Sequence, residues 1–406
     1  MRLLVLSGRL FYPATTGGTT RSSRLFERLA REHDITIVSF KMPGDSHESL
    51  QMMESCCNRL ETVEWNESPK GTLRFYADVA RNVLSRKAFT VGKYDSPEMR
   101  RRIAELLERE HYDVLVADFL QPSVNVVDAA FFPKILFQHN VESVIRQRQL
   151  SAAGNPLLKA YLYWDWIRLK RFEARAARKF DHCIMVSEQD CRTMHDLYGV
   201  TNTTAIPTGV DVDYFKPREA EAAGHHLVFT GSMDWFPNED AMRFFVNEVL
   251  PLIRRQLEVT TWIVGRHPSE SVLRLSQDHP DVRVTGTVPD VRPFIDRASV
   301  YVVPLRIGGG TRIKIFEAMA MGKAIVSTTI GAEGLPVSNG ENIVLADTAQ
   351  SFAAKVIELL QSPSQRRRIG ETARALVVNH YTWDVAARRF TEICETVRNN
   401  GRKDHQ

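Results

Sequence analysis

The sequence predicts an α/β protein of two Rossmann-like domains, each built on a doubly wound parallel sheet. Two observations support this prediction. Short, almost continuously apolar runs alternate with amphipathic stretches along the chain, as buried parallel strands alternate with their covering helices. The alternation restarts after a segment with proline and glycine near residue 207. The 406 residues accommodate two such domains, since one domain usually takes about 100–200 residues.

The first half of the chain predicts an N-terminal domain over residues 1–206. Its apolar runs predict five strands, at 2–7, 35–40, 114–117, 134–137 and 183–186. Stretches with apolar residues at helical spacing lie between them, at 20–31, 99–109 and 159–179. Strands and helices that alternate in this way form a parallel sheet with helices on both faces.

The segment 207–224 predicts a linker, because it combines proline, glycine and small polar residues without periodicity. A second domain is predicted over 225–382, with strands at 226–230, 260–264, 282–285, 300–303 and 324–327. Helices follow at 351–360, 364–378 and 383–398, and we expect the last, at about 383–400, to pack back on the first domain. Two such sheets facing each other would enclose a cleft lined by residues that follow the strands.

Composition excludes several classes of protein. The net charge of +4 is small, although the whole excess lies in residues 1–205, and this balance argues against nucleic-acid binding. Five cysteines without a CxxC pair predict neither a disulfide framework nor a zinc site. No DxD pair or histidine–aspartate cluster predicts a metal site. Without an 18-residue apolar run or a signal-peptide core, we expect a cytoplasmic protein.

A first glycine-rich turn follows the first predicted strand. Gly17 and Gly18 stand before a helix whose first turn carries Thr19, Thr20 and Arg21. Glycine lets the backbone approach an anion closely, and the free N–H groups of a helix start favour negative charge. The GxGxxG and Walker A fingerprints are absent. The residues therefore fit either an anion-binding turn or an ordinary loop capped by threonine.

A second glycine-rich turn is more informative. Gly309, Gly310 and Thr311 lie between a predicted strand and a helix, with Thr311 in a position to cap the helix. Arg312 and Lys314 follow in the first turn, where a cation opposes the helix dipole unless an anion lies beside it. A diphosphate is the simplest such anion, and a basic, solvated helix start is the alternative.

These residues resemble the GT-B glycosyltransferases of the family 4-like group. The resemblance covers nearly the whole chain and centres on GGGTRIKIFEAMAMGKAIVST, with FQHNVES and VFTGSMDWFPNEDA as further segments. Within the group, the chain looks most like bacterial sugar transferases of exopolysaccharide gene clusters of the PEP-CTERM/exosortase type. The resemblance implies two Rossmann-like domains facing a central cleft, with a nucleotide-sugar bound in it. It also implies a retaining reaction that needs no metal.

In the N-terminal domain the resemblance implies roles for residues that follow predicted strands. Gly17 and Gly18 would form the loop near the donor phosphates and the acceptor. His139 would contact the donor sugar, although by its residue type alone it also fits a packed histidine. Asn140 beside it and Asp118 after the strand 114–117 are acceptor-side candidates, and Asp118 also fits an exposed helix cap.

In the C-terminal domain the resemblance implies the nucleotide site. Glu317 matches the second glutamate of the motif E-x7-E and would hold the ribose. Gly286 and Val288 match a turn whose backbone would lie beside the base. Gly231 ends the first strand of this domain, where the family places donor-phosphate contacts.

The sequence departs from the family pattern at the phosphate-binding positions. Gly309 replaces the first glutamate of E-x7-E, and Ser232 and Asn238 stand where an arginine and a lysine are usual. A departing diphosphate needs positive charge or oriented hydrogen-bond donors. We therefore expect Arg312 and Lys314 to supply that charge.

The sequence thus predicts a retaining hexosyltransferase that uses a UDP- or GDP-sugar and needs no cofactor. The expected acceptor is a glycan or lipid-linked glycan in polysaccharide biosynthesis. Two alternatives stay open: a nucleotide-sugar 2-epimerase of the same fold, and a non-catalytic donor-binding partner subunit. The altered phosphate positions favour the second alternative.

The predicted helix at 159–179 mixes aromatic and basic side chains. Such a helix fits peripheral contact with the cytoplasmic face of a membrane. It also fits a core helix with a solvated basic face.

Overall fold

Two separate parallel sheets organise the chain in the computed structural model, which describes residues 1–69, 71–131, 133–218, 224–307 and 312–403. Unit 1 comprises Met1–Pro207 and the chain from Ala386 onward, and unit 2 comprises Thr208–Val385. Each unit has its own apolar core. The predicted fold class, two doubly wound parallel sheets, is confirmed.

Unit 1 contains a seven-stranded sheet in the order β3-β2-β1-β4-β5-β6-β7, with every strand pair parallel. Its strands are β1 (Arg2–Ser7), β2 (Asp34–Lys41), β3 (Arg59–Glu64), β4 (Val114–Asp118), β5 (Lys134–Phe137), β6 (His182–Met185) and β7 (Thr203–Ala205). Its helices are α1 (Gly17–Leu29), α2 (His47–Met53), α3 (Leu73–Val83), α4 (Phe89–Gly92), α5 (Pro97–Arg109), α6 (Glu142–Ala152), α7 (Pro156–Lys179) and α8 (Glu188–Tyr198). The strand order reverses between β1 and β4, so their carboxyl ends form the switch point at which such sheets bind ligands.

Unit 2 contains a six-stranded parallel sheet in the order β10-β9-β8-β11-β12-β13. Its strands are β8 (His226–Thr230), β9 (Thr260–Val264), β10 (Val282–Val284), β11 (Val300–Val303), β12 (Ile325–Ser327) and β13 (Val344–Leu345). Its helices are α9 (Phe236–Phe244), α10 (Leu250–Arg254), α11 (Glu270–Asp278), α12 (Arg292–Arg297), α13 (Ile313–Ala320), α14 (Ala349–Gln361) and α15 (Pro363–His380), with a π-helical turn at Phe245–Val249. Here the switch point lies between β8 and β11.

The central strands form because their side chains are apolar on both faces. In β1, residues 3–7 are all buried between two helical layers, as parallel strands require. Leu3 and Val5 pack on the side of α1, while Leu4 and Leu6 pack on the side of α5 and α7. Full burial of one such side chain contributes about 1.5–3 kcal/mol, so the sheet centre is the most stable part of the unit.

The last helix, α16 (Trp383–Lys403), leaves unit 2 and contributes to the core of unit 1. Phe390 is fully buried, with its ring 6.1 Å from that of Phe26 and 5.5 Å from that of Phe137, both edge-on. Edge-to-face pairs of this kind are favourable beyond the area that they bury. The end of the chain is therefore part of the first unit's core.

The segment predicted as a linker is buried at residues 208–210 and exposed at residues 216–218. Val210 is buried in the core of unit 2, and its N–H donates to the carbonyl of Tyr381 at 2.8 Å. Residues 219–223 lie outside the described residues.

The aromatic and basic helix α7 buries one face in the core of unit 1 and exposes the other. Leu162, Asp165, Leu169 and Glu173 on one face are buried, whereas Trp164 near its start is exposed. The large exposed apolar side chains of α7 all lie in its first half, and membrane contact by this helix stays a prediction. Among the described residues, the helices are too short or too polar to cross a bilayer.

Candidate active site

The carboxyl ends of β8 and β9 meet through two glycines. The N–H of Gly231, after β8, donates to the carbonyl of Val264 at 2.9 Å. A Cβ on Gly265, after β9, would lie 1.6 Å from the carbonyl oxygen of Gly231, and a Cβ on Gly231 would lie 2.7 Å from Lys314 Nζ and Asn238 Nδ2. Only glycine permits this approach. Because the two glycines have no side chains, the side chains of Lys314 and Asn238 lie directly against the main chain of Gly231.

Lys314 is the central cation of this corner. Its Nζ donates to Oδ1 of Asn238 at 3.0 Å and lies 4.0 Å from the ring centroid of Phe229. Burial, and secondarily the charge of Arg312, lowers the Lys314 pKa to about 7, while Glu317 opposes the shift. Because burial disfavours the charged form of this ammonium group, an anion beside it would strongly favour that form.

Arg312 and Glu317 complete the first turns of α13. Arg312 stands at the N-cap position and is 4% exposed, with Nη2 donating to the carbonyl of Ile330 at 3.0 Å. Burial raises the Glu317 pKa to about 7, against the opposing effect of Lys314. Because Lys314 and Glu317 lie three residues apart, they share one face of the helix. The predicted candidates Arg312, Lys314 and Glu317 are therefore neighbours in the fold.

Gly309, Gly310 and Thr311, predicted to cradle phosphate and to cap the helix, lie outside the described residues.

Arg266 is a site residue that sequence reasoning missed. It follows Gly265 at the end of β9, and its Nε donates to Ser232 Oγ at 2.9 Å. Ser232 Oγ in turn donates to Asp234 at 2.6 Å, and its carbonyl accepts from Asn238 Nδ2 at 2.8 Å. A cation thus reaches the position where the family's usual arginine is replaced by serine. The rule that ligands bind beyond strand ends could have found it.

Gly286 and Val288 lie at the same edge of the sheet, two strands from β8. Gly286 follows β10 with a φ of +68° and open space around its Cα, which suits glycine. Val288 packs partly against the core of unit 2. Both residues share the carboxyl edge with Gly231, but the structure gives no side-chain contact between the two groups.

In unit 1 the site candidates converge at the switch point. His139 Nε2 lies 2.7 Å from Oδ1 of Asp118, and Ser22 Oγ donates to the Asp118 oxygens at 3.1 and 2.9 Å. Burial lowers the His139 pKa, with Asp118 opposing. The neutral ring therefore donates from Nε2 to the carboxylate, and its buried Nδ1 has no partner among the described residues.

Asp118 differs from its predicted roles. The sequence predicts an acceptor-side contact or an exposed helix cap, but the Asp118 side chain is fully buried. Its hydrogen-bond partners are His139 and Ser22. Asn140, next to His139, is partly exposed.

Gly18 has a structural reason to be glycine. The helix α1 begins at Gly17, capped by Thr16, so both glycines open the helix instead of preceding it. A Cβ on Gly18 would lie 2.6 Å from the ring of Phe119, which stacks on His139 at 3.8 Å between centroids. Phe119, at a φ of +74°, was not predicted from the sequence. Gly18 thus lets a strained aromatic residue support the histidine.

Arg21 serves the same region as a structural cation. It is 1% exposed and donates to the carbonyls of Gln138, Met185 and Ile206 at 2.8, 3.3 and 2.7 Å. Burial lowers its pKa to about 9. These bonds hold the ends of three strands together, which positions His139.

Family models match both halves of the chain. A model described as "Glycosyltransferase Family 4" matches residues 15–214, and one described as "Glycosyl transferases group 1" matches residues 224–362. The two models together cover most of the chain. Within the described residues, no group of three or more histidine, cysteine, aspartate or glutamate side chains is placed to hold a metal ion.

Other proteins resemble the chain over long stretches. An "Uncharacterized 44.6 kDa protein in cps region" of Klebsiella pneumoniae is 22% identical and covers 94% of this chain and 96% of its own. A "Phosphatidyl-myo-inositol mannosyltransferase" of Mycolicibacterium smegmatis is 29% identical over 54% of this chain and 58% of its own. The structure of Anabaena Alr3699/HepE in complex with UDP matches with a TM-score of 0.67 at 15% identity, over 98% and 100% of the two chains.

Proposed function

Because the chain belongs to the GT-B glycosyltransferases of group 1 and family 4, we propose that it transfers a hexose from a UDP- or GDP-sugar to a glycan or lipid-linked acceptor in polysaccharide biosynthesis. The relative from a cps region and the phosphatidyl-myo-inositol mannosyltransferase support the acceptor class. The UDP-bound neighbour of the same fold supports a nucleotide-sugar donor. Access to a lipid-linked acceptor would also require peripheral contact with a membrane.

One observation gives the proposal its main support. At the switch point of the unit 2 sheet, positively charged side chains lie close to main chain that no side chain covers. Lys314 Nζ lies beside Gly231 and Asn238, and Arg266 reaches Ser232 from the neighbouring strand. Helix N-termini and cations of this kind bind the oxygens of a diphosphate. Lys314 and Arg266 thus replace the lysine and arginine that the family usually carries at positions 238 and 232.

The proposed reaction retains configuration at the anomeric carbon. The acceptor oxygen bonds to that carbon on the face from which the diphosphate leaves, and the bond from the carbon to the phosphate oxygen breaks. A donor phosphate oxygen takes the proton of the acceptor hydroxyl, so no protein base is required. Lys314, Arg312 and Arg266 stabilise the charge that develops on the leaving nucleoside diphosphate.

His139 orients the donor sugar in this proposal. Its Nε2–H is directed to Asp118, which leaves the Nδ1 lone pair to accept a hydrogen bond from a sugar hydroxyl. Glu317 is placed on the same helix face as Lys314 and would accept from the ribose hydroxyls. Binding of the diphosphate would favour the charged form of Lys314 and thereby of Glu317.

A panel of nucleotide-sugars tests the proposal. We expect one UDP- or GDP-sugar to raise the melting temperature and then to be consumed with an acceptor. The variant with Arg312→Ala and Lys314→Ala should lose turnover while its circular dichroism stays unchanged. Turnover near the wild-type rate in this variant would sink the assignment of the phosphate site.

The same panel separates the alternatives. A 2-epimerase would convert the donor sugar without any acceptor, which product analysis detects. A non-catalytic donor-binding subunit, the function favoured by Gly309, Ser232 and Asn238, would show stabilisation without hydrolysis or transfer.

A further inference from the structure

Helix α3 exposes an apolar face to solvent. None of its eleven residues is buried. Leu73 is 90% and Leu84, directly after the helix, is 91% exposed, and Tyr76 and Val83 are also largely exposed. These positions recur at helical spacing and so lie on one face. An amphipathic helix normally turns that face to the core, so this orientation calls for an external partner.

The helix is held in this orientation by its other side. The indole N–H of Trp164 donates to the carbonyl of Val83 at 3.2 Å. Nη1 of Arg168, a side chain that is 4% exposed, donates to the carbonyls of Asn82 and Ser85 at 2.6 and 2.8 Å. The end of α3 is thus fixed on α7 with its apolar face outward.

The first half of α7 extends the same surface. Its large exposed side chains are Leu157, Leu158, Tyr163 and Trp164. Together with Leu73, Tyr76, Val83 and Leu84 they form what we call the α3–α7 surface. Eight of the seventeen large apolar side chains exposed in the described chain belong to it. Leucine beside tyrosine and tryptophan is the composition of helices that lie in a bilayer interface.

The charges around this surface are strongly positive. The segments 71–95 and 153–172 contain nine lysines and arginines against three acidic residues, an excess larger than the +4 of the whole chain. All three acidic residues are ion-paired, at Asp78, Asp95 and Asp165. Arg74, Arg86, Lys159 and Arg171 make no ion pair or hydrogen bond within the described residues. The uncompensated charge therefore lies in the same two segments of the chain as the apolar face.

A groove of about 990 Å³ adjoins the surface, and Arg86 and Arg171 line it. It opens between α5 and α7 because β4 and β5 are joined by only a short 3-10 turn, Pro122–Asn125, where a covering helix would normally lie. Ile103 and Phe172 contribute apolar lining. Six lysines and arginines line the groove against the three carboxylates of Asp95, Glu108 and Asp128. Apolar walls with an excess of cations suit an anionic amphiphile.

We propose that the α3–α7 surface docks on a lipid bilayer that contains anionic phospholipids. The leucines and aromatic rings enter the interface, and Arg86 and Arg171 bind headgroup phosphates. A second copy of this chain is a poor occupant, because a symmetric contact would bring the two sets of cations together. The inference depends on the proposed function in one respect only: membrane binding would give the enzyme access to a lipid-linked acceptor.

Vesicle flotation of the full chain, with neither donor nor acceptor present, tests the proposal. The vesicles are phosphatidylcholine alone, or phosphatidylcholine mixed with phosphatidylglycerol. We expect binding to the mixed vesicles and weak binding to the neutral ones. The pair Leu73→Ser and Leu84→Ser should weaken binding roughly tenfold or more per leucine. The pair Arg86→Ala and Arg171→Ala should weaken it about fivefold per arginine.

Matched variants on unit 2 serve as controls. The exposed residues Leu273 and Val378, changed to serine, and Arg255 and Arg367, changed to alanine, should bind as the wild type does. No flotation of the wild type, or equal losses in the control pairs, would overturn the proposal. A dimer in analytical ultracentrifugation that the leucine pair abolishes, without vesicle binding, would assign the surface to a second copy. Flotation without sugar transfer would instead leave this proposal intact and remove the proposed function.

Discussion

The carboxyl edges of the two sheets use their charges in opposite ways. In unit 1, the guanidinium of Arg21 is bonded to three backbone carbonyls and Asp118 is bonded to His139 and Ser22. In unit 2, the hydrogen bond of Lys314 goes to the neutral amide of Asn238. Arg21 and Asp118 each have several fixed hydrogen-bond partners and hold strand ends in place, whereas Lys314 makes one hydrogen bond within the described residues and keeps N–H donors for a ligand. The same topology thus yields a positioning site and a binding site.

Removal of the Lys314 charge from the carboxyl edge of the unit 2 sheet should have the largest effect. Lys314→Met is expected to lower kcat/KM for the nucleotide-sugar by roughly 10²–10³-fold, because charge on the leaving diphosphate loses its stabilisation. The exposed Lys355, changed to methionine, is the control and should leave kcat/KM unchanged. Comparable losses in both variants would show that position 314 has no special role.

Disruption of the close contact between Gly231 and Gly265 should have the next largest effect. Gly265→Ala should lower the free energy of unfolding by roughly 3 kcal/mol, since its Cβ would overlap the carbonyl oxygen of Gly231. Gly340→Ala, at a φ of +80° in open space, should cost only about 1 kcal/mol. Urea unfolding measures both. Equal costs would mean that backbone conformation alone, and not contact, requires glycine at position 265.

The carboxyl edge of the unit 1 sheet should lose stability when the buried carboxylate of Asp118 is replaced. Asp118→Asn should cost about 1–3 kcal/mol, because the neutral amide replaces the charge-assisted hydrogen bonds from His139 and Ser22 with weaker ones. Asp128→Asn, at an exposed ion pair in the same unit, should cost less than about 1 kcal/mol. Thermal unfolding of the two variants provides the comparison. A cost at position 118 no larger than that at 128 would contradict the structural role of the carboxylate.

The smallest expected effect is a pH dependence at the second edge. Lys314 has a pKa lowered to about 7, so above pH 7 the free protein loses the charge that binds the donor. Affinity for UDP should therefore weaken up to about tenfold per pH unit above 7, as calorimetry would show. Lys314→Arg should flatten this profile, and an unchanged profile in that variant would assign the titration to another group.

The free energy of unfolding should rise with pH, whereas the affinity for UDP should fall. Between pH 7 and the usual lysine pKa of 10.5, the unfolded chain binds the proton that the folded chain has lost. Stability from this group therefore rises with pH across that window. The gain should be absent in Lys314→Met, which provides a second check of the same assignment.

The centres of both sheets and the edge strand β10 could be predicted from sequence, but the other edge strands could not. The predicted bounds of β1, β5, β8, β9 and β11 match the structure, because strands buried on both faces need unbroken apolar runs. The edge strands β3, β7 and β13 were missed. In β3 only Val63 is buried, so its sequence carries little apolar signal. In β7 and β13 the strands are only three and two residues long.

The sequence by itself determined the fold class, the switch-point glycines and the paired cations of α13, since each depends on residues close together in the chain. Only the tertiary structure placed Arg266 against Ser232, 34 residues away, and Phe119 beneath Gly18. It alone also turned the apolar face of α3 outward. Such contacts depend on strand order and on which helix covers which face, and no local pattern of residue types encodes either.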